Sequence, residues 1–360
     1  MLINGKKTHT IWVNEKTGTV QIYDQRELPH QIKIVDLNTS TDAFHAIKDM
    51  LIRGAPLIGV TAAYGVYLAA KEKSTLDYIK ERVALLRTSR PTAINLNWAL
   101  DKMLSGLSQS SNLEADALAL ANDIKQKEID ISFNIGEHGA QIIEKIYKNK
   151  NGGTVNVLTH CNAGWLASID WGMSSSPVFR ARDNGIETHV WVDETRPRNQ
   201  GANLTAFEYE QENIAHTLIV DNAGGHLMQH GMVDIVITGT DRTTRQGDVA
   251  NKIGTYLKAL AAYDNNVPFY VALPSSSIDW SIRDGLKDIP IEERDQNEVK
   301  YIQGKGKKGI EAVLICPENT VASNYGFDVT PARLVTGFIT ERGVCEASEA
   351  GLLSLFPEMK

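Results

Sequence analysis

The chain is predicted to be an α/β protein, with a small helix-rich N-terminal domain carrying a short β element and a C-terminal domain built on a parallel sheet. Three observations predict this. From Asn156 onward, short Val/Ile/Leu runs alternate with helical stretches, the pattern of strands buried on both faces and joined by helical crossovers. Upstream, apolar residues recur at helical spacing over most of residues 40–147. Between the two patterns, Lys148-Asn149-Lys150-Asn151-Gly152-Gly153 is polar and glycine-rich, which suits a boundary and gives domains at 1–150 and 151–360.

In chain order, residues 10–13 and 20–23 read as a hairpin around Lys16-Thr17-Gly18. Ala43, Phe44, Ala46, Ile47, Met50 and Leu51 then mark a helix opened by Ser40 or Thr41 and closed at Gly54. Pro56 opens the next helix, residues 57–70, whose Gly59, Ala62, Ala63 and Gly65 suit close packing. Further helices are expected over 76–86, 93–104 and 113–147. Strands follow near 155–159, 188–192, 217–220, 233–238, 269–273 and 312–315, with helices between most of them, such as 204–211 and 250–263.

With 360 residues, 42% hydrophobic and 22% charged, the chain has the composition of an ordinary globular protein large enough for two domains. A net charge of −7 without a basic stripe argues against a nucleic-acid partner. Cys161, Cys316 and Cys345 have no paired spacing, which argues against a disulfide framework or a zinc site, so no metal is expected. No leader-like N-terminus and no membrane-length apolar run stand out, and the expectation is a cytoplasmic protein with no membrane partner. Gly304-Lys305-Gly306-Lys307-Lys308-Gly309 fits a dinucleotide fingerprint but precedes a strand instead of following one, so it reads as a surface loop and no cofactor is expected.

Two strand ends carry the chemistry. The apolar run at 156–159 passes into His160-Cys161-Asn162-Ala163-Gly164, and the run at 233–238 passes into Gly239-Thr240-Asp241-Arg242. In open α/β sheets ligands bind beyond the carboxyl ends of strands, so a thiol and a carboxylate are expected at one crevice. A helix start after Gly164 would favour the thiolate of Cys161. Asp241 must be shielded from water to act as an acid, because lifting an aspartate by three pKa units costs about 4 kcal/mol.

Polar groups are expected around this pair. Arg53-Gly54-Ala55-Pro56 and Arg90-Pro91-Thr92-Ala93 each set a guanidinium before a helix start, an arrangement suited to an anion. Glu194-Thr195-Arg196-Pro197 with Gln200, and Gly247-Asp248-Val249-Ala250-Asn251-Lys252, follow strands on the same edge, with Asn251 and Lys252 placed in a first helical turn.

Taken in order, these motifs, together with Pro268-Phe269-Tyr270-Val271, Ile289-Pro290-Ile291-Glu292-Glu293-Arg294, Phe327-Asp328-Val329-Thr330-Pro331 and Ile339-Thr340-Glu341-Arg342-Gly343, resemble the methylthioribose-1-phosphate isomerase family along nearly the whole chain. The resemblance implies a Rossmann-like catalytic domain over 151–360, a homodimer, and an aldose-to-ketose isomerisation of a phosphorylated pentose in methionine salvage. It implies substrate contacts from Arg53, Gly54, Ala55, Arg90, Gln200, Asn251 and Lys252, with Cys161 and Asp241 at the chemical step. The chain departs from the family where Trp165-Leu166-Ala167 follows Gly164 and where Thr240 follows Gly239, which leaves 5-deoxyribose 1-phosphate and ribose 1,5-bisphosphate open as substrates. The same fold resembles the non-catalytic regulatory α, β and δ subunits of the translation-initiation nucleotide exchange factor, a class that would not need Cys161, Asp241, Asn251 and Lys252 together.

Overall fold

The computed structural model describes residues 1–90 and 93–360, so Pro91 and Thr92 of the Arg90 motif lie outside the described residues. The chain forms two compact units, Met1–Phe133 with Trp165–Gly172, and Asn134–Gly164 with Met173–Lys360.

In the first unit, β1 (Leu2–Ile3) pairs with β2 (Lys6–Lys7), and β3 (Ile11–Asn14), β4 (Thr19–Tyr23) and β5 (Ile34–Leu37) form an antiparallel sheet in that order. Helix α1 (Ser40–Lys48) is opened by a capping box, Thr39 and Asp42 each bonding the other's backbone N–H. The cap is thus Thr39 and not Ser40 or Thr41, because the Ser40 hydroxyl is committed to Glu72 at 2.7 Å. The helix also stops at Lys48, short of Gly54, where Met50 takes a positive φ of 57°. Helix α2 (Ala55–Glu72) buries every residue from Pro56 to Ala70 and is the spine of this unit. Around it lie α3 (Leu76–Arg87), α4 (Ile94–Leu107) and part of α5 (Leu113–Asn149).

The second unit contains β6 (Val155–Thr159), α6 (Ser176–Asp183), β7 (Thr188–Asp193), α7 (Ala206–Gln211), β8 (Ala215–Ile219), α8 (Ala223–Gln229) and β9 (Ile235–Thr238). It continues with β10 (Arg242–Thr244), β11 (Val249–Lys252), α9 (Thr255–Asp264), β12 (Phe269–Ala272), β13 (Ile278–Asp279), α10 (Gly285–Asp288) and α11 (Asn297–Lys300). The last elements are β14 (Tyr301–Gly306), β15 (Gly309–Leu314), β16 (Phe327–Thr330), β17 (Gly337–Thr340), β18 (Gly343–Cys345) and α12 (Glu349–Leu355).

The main sheet has the order β18-β17-β12-β9-β6-β7-β8, parallel except for β18. From β6 the chain builds outward through β7 and β8, then returns to the other side of β6 for β9, β12 and β17. This is the Rossmann order, and its switch point lies between β6 and β9, the strands that lead to Cys161 and Asp241. Val157, Leu158, Ile235, Val236 and Ile237 are buried there, as two-sided coverage of a parallel sheet requires.

Several expectations are corrected. Residues 312–315 belong not to the main sheet but to the hairpin β14–β15, and the glycine-rich stretch at 304–309 is that hairpin's turn region, with Gly309 at φ +118°. Strands β17 and β18 complete the main sheet instead. Residues 250–263 are not one helix: Gly254, at φ +102°, separates β11 from α9. Helix α7 starts at Ala206, after a single wide turn over Gly201–Thr205.

Candidate active site

The end of β6 is held by a buried polar network. The His160 ring is fully buried, with Nδ1 at 2.8 Å from Asp193 at the end of β7 and Nε2 at 2.8 Å from the Ile253 carbonyl. A Cβ on Gly254 would stand 3.1 Å from this ring, so glycine lets the turn before α9 rest on it. Lys258 on α9 sends its ammonium 3.1 Å from Asp193 and donates to the Asp221 carbonyl. His160, Asp193 and Asp221 are close enough to share a cation. That role is taken by Lys258, and both His160 nitrogens are already engaged by protein oxygens, so the cluster is a hydrogen-bonded network around the Lys258–Asp193 ion pair. Asp328 accepts from the amides of Gly254 and Tyr256; burial pushes its carboxyl up, against the pull of those amides, His160 and Lys258.

Cys161 follows directly, buried and left-handed at φ +68°. Its thiol donates to Gln200 Oε1 at 3.3 Å, while His160 engages other partners, so the two are not a Cys–His pair. Cys161 N–H donates to Thr195 Oγ1 at 2.9 Å, and its carbonyl accepts from Thr205 Oγ1 at 2.8 Å. Asn162 donates to Thr205 and to the buried Glu208. A Cβ on Gly164 would collide with the Glu208 carboxylate, which is why this turn needs glycine. The expected helix start after Gly164 is absent among the described residues: one tight turn, Trp165–Ala167, comes first and α6 begins only at Ser176.

Asp241 lies at the bend between β9 and β10, its N–H bonded to the Ala250 carbonyl at 3.0 Å. Gly239 packs against Ala163, where a Cβ would meet that of Ala163 at 2.5 Å, so the Cys161 and Asp241 turns leave the sheet side by side. The Asp241 side chain is exposed, which corrects the expected shielding: the bend fixes its backbone and leaves the carboxyl to solvent. Asn251 and Lys252 sit on β11, not in a helical turn, because β10 and β11 form a hairpin that pairs onward with β16. Both are buried; Asn251 donates to Thr255 at 3.0 Å, and Lys252 donates to the Gly326 carbonyl at 2.9 Å with its ammonium 4.9 Å from the Phe327 ring centre. Glu194, half-buried at the end of β7, has its carboxyl raised by burial and by Asp221, with Arg196 opposing.

In the first unit, Gly54 caps α2 at φ +97° and Ala55 is its first residue, with half-buried Arg53 just before. A Cβ on Gly54 would stand 2.6 Å from Ala167 Cα. Half-buried Arg90 precedes α4, and a Cβ on Gly59 would approach the Asn95 carbonyl at 3.1 Å, so the two helix starts are neighbours. Sequence reasoning named nine candidate residues, of which the structure sets Cys161 against Gln200, but it did not name Thr195 and Thr205 as partners of Cys161, or Asp193 as the partner of His160. Thr195 sits inside a quoted motif; nothing in the sequence signals its backbone conformation.

A doubly wound sheet whose β6 and β9 exits carry Cys161 and Asp241 on either side of the switch point has the crevice at which open α/β proteins bind small ligands, and residues 51–347 match the Initiation factor 2 subunit family. The methylthioribose-1-phosphate isomerase of Desulfatibacillum aliphaticivorans is 56% identical over 366 residues, covering 99% of each chain. The crystal structure of 5-methylthioribose 1-phosphate isomerase from Pyrococcus horikoshii OT3 superposes with a TM-score of 0.86 at 36% identity, covering 98% of this chain and 97% of that one. The translation initiation factor eIF-2B subunit delta from A. fulgidus gives 0.83 at 34% identity, covering 98% and 100%. The chain belongs to the methylthioribose-1-phosphate isomerase family within the Initiation factor 2 subunit family, and it is an enzyme, an aldose–ketose isomerase. Among the described residues no helix is long and apolar enough to cross a membrane.

Proposed function

We propose that this isomerase converts 5-methylthioribose 1-phosphate to 5-methylthioribulose 1-phosphate in methionine salvage, with Asp241 as the acid and Cys161 stabilising or relaying the hydrogen shift. The observation that carries the reading is the pairing of Cys161 and Asp241 at the exits of β6 and β9, side by side at the switch point. The substrate follows from the 56% identity, over 99% of both chains, to a protein of that name.

The chemistry needs both groups. A sugar phosphorylated at its anomeric oxygen cannot open like a free hemiacetal, so the ring oxygen must be protonated as its bond to C1 breaks. Hydrogen then moves from C2 to C1, and the C2 hydroxyl loses a proton as the ketone forms. The proton given by Asp241 to the ring oxygen is matched by the one released at C2, so none is consumed. General acid help of this kind contributes about 10² to 10⁴ in rate. Because Asp241 is exposed, bound substrate must itself exclude water from the carboxyl.

Gln200, Asn251 and Lys252 are assigned to the sugar and phosphate, together with Arg53, Gly54, Ala55 and Arg90 as helix-start donors to the anion. The proposal includes a cytoplasmic homodimer; exposed Leu218 and Val220, on and just after the edge strand β8, support association of two copies, and sedimentation of the purified protein tests it. The decisive experiment compares turnover of 5-methylthioribose 1-phosphate, 5-deoxyribose 1-phosphate and ribose 1,5-bisphosphate. The methylthio sugar is expected to give the highest kcat/KM; a higher value for either of the others would reassign the substrate.

A further inference from the structure

Cys161 and Thr195 are both left-handed, at φ +68° and +63°, and they are bonded to each other. A positive φ is uncommon for any residue with a side chain and an outlier for a β-branched one such as threonine. Two such residues, at the ends of the adjacent strands β6 and β7, persist only if the surroundings hold them there.

The surroundings do so through hydroxyls whose directions are fixed. Thr195 Oγ1 accepts from Cys161 N–H at 2.9 Å, and its one proton goes to the Asp193 carbonyl at 3.0 Å. Thr205 Oγ1 accepts from Asn162 Nδ2 at 3.1 Å, and its proton goes to the Cys161 carbonyl at 2.8 Å. Both side chains are almost fully buried, so water does not substitute for them. Thr195 is itself anchored, since the Asp221 carboxylate accepts from the amides of Thr195 and Arg196, each at 2.7 Å. The amide, carbonyl and thiol of Cys161 are therefore all engaged, the thiol by Gln200. Glycine would adopt these angles without strain, yet position 161 carries a thiol and position 195 a hydroxyl that reads the Cys161 amide.

We propose that Thr195 is a positioning residue: its hydroxyl, anchored by Asp221 and opposed across Cys161 by Thr205, locks the Cys161 backbone left-handed and so aims the thiol at the reacting sugar. The proposal rests on the reading that Cys161 takes part in the chemical step. Losing the Thr195 hydroxyl lets Cys161 relax toward an extended backbone and swings the sulfur away from Gln200.

The test uses the full chain with Thr195→Val, which keeps shape and loses the hydroxyl, and Thr195→Ser, which keeps the hydroxyl. Thr195→Val is expected to lower kcat for 5-methylthioribose 1-phosphate about tenfold or more, a loss of roughly 1.4 kcal/mol in transition-state stabilisation, with KM changed less than about threefold. Thr195→Ser is expected to restore most of the turnover. Site-resolved alkylation by iodoacetamide should change severalfold at Cys161 in the valine variant and stay constant at Cys316. Equal turnover in the two variants, or an unchanged Cys161 alkylation rate, would overturn the proposal. Should the valine variant not fold, Cys161→Gly is compared with Cys161→Ala: the glycine variant must melt at or above the alanine one, and the reverse order also overturns it. If the parent protein turns over no pentose phosphate, the functional reading fails, while the alkylation and melting comparisons still judge the clamp.

Discussion

The Cys161 thiol donates a hydrogen bond to Gln200 Oε1 at 3.3 Å, with both side chains more than nine-tenths buried. A carboxamide at this place offers a neutral acceptor. A carboxylate of the same shape would set a negative charge against any thiolate character at Cys161. Gln200→Glu is therefore expected to lower kcat by about 10² or more, and Gln200→Ala to act mainly on KM, by about tenfold for each 1.4 kcal/mol of binding lost. Steady-state kinetics on the two variants check this, and a glutamate variant no slower than the alanine one contradicts it.

Asp241 is exposed and its backbone N–H is bonded to the Ala250 carbonyl, so changing its side chain is expected to leave the fold alone. Asp241→Asn is expected to lower turnover by about 10² to 10⁴ while substrate binding, read by calorimetry, and the melting temperature stay near the parent values. Near-normal turnover would remove Asp241 from the acid role.

Lys252 has a compact seat between the Gly326 carbonyl and the Phe327 ring. A charge-assisted contact from it to the substrate phosphate is worth about 1.5–3 kcal/mol, so Lys252→Ala is expected to raise KM about 10- to 100-fold with a smaller change in kcat. Arginine should not rescue it, because a planar guanidinium does not fit a seat shaped for an ammonium. Inhibition by inorganic phosphate should weaken in parallel.

Much of the fold is legible in the sequence, because β6, β7, β9 and β12 are short stretches rich in Val, Ile, Leu and aromatic residues and α2 is a long apolar segment with Pro56 near its start. The exits of β6 and β9, and with them the places of Cys161 and Asp241, follow from that pattern. What is not legible turns on single backbone angles. Gly254 at φ +102° divides a plausible helix into β11 and α9, and the left-handed Cys161 and Thr195 have no compositional signal. The exposure of Asp241 escapes as well, since its burial depends on a bend and not on its neighbours in sequence.

Gly54 opens α2 at φ +97° with the Ala167 backbone where a side chain would stand. Gly54→Ala combines a disfavoured angle with a backbone collision that no rotamer relieves. It is expected to destabilise the protein by about 2–4 kcal/mol, read as a shift in the urea midpoint. A loss below about 1 kcal/mol would mean that the α2 start rearranges at little cost, in which case the donors assigned to the anion are not rigid.

Glu298 ties the segment that carries Gln200 to the α11 region. It accepts from Arg198 at 2.7 Å, from two Arg294 nitrogens at 2.8 and 2.9 Å, and from Asn324 at 2.9 Å. Burial alone would raise its carboxyl, but Arg294, Arg198 and Asn324 outweigh it and bring the pKa down to about 2, from an ordinary value of 4.5. A depressed carboxyl contributes stability that is fully present above its unfolded-state pKa and is lost as pH falls through its folded-state value. Glu298→Gln is therefore expected to destabilise the protein by roughly 1–3 kcal/mol at pH 7, a range already reduced for solvent screening of a partly exposed group. The difference between parent and variant should be flat from about pH 6 to 8, shrink below about 4.5 and vanish near 2. Urea midpoints measured across that range check it. A gap that stays constant down to the acid limit would show that packing of the side chain, and not its charge, holds Arg198 and Arg294 together.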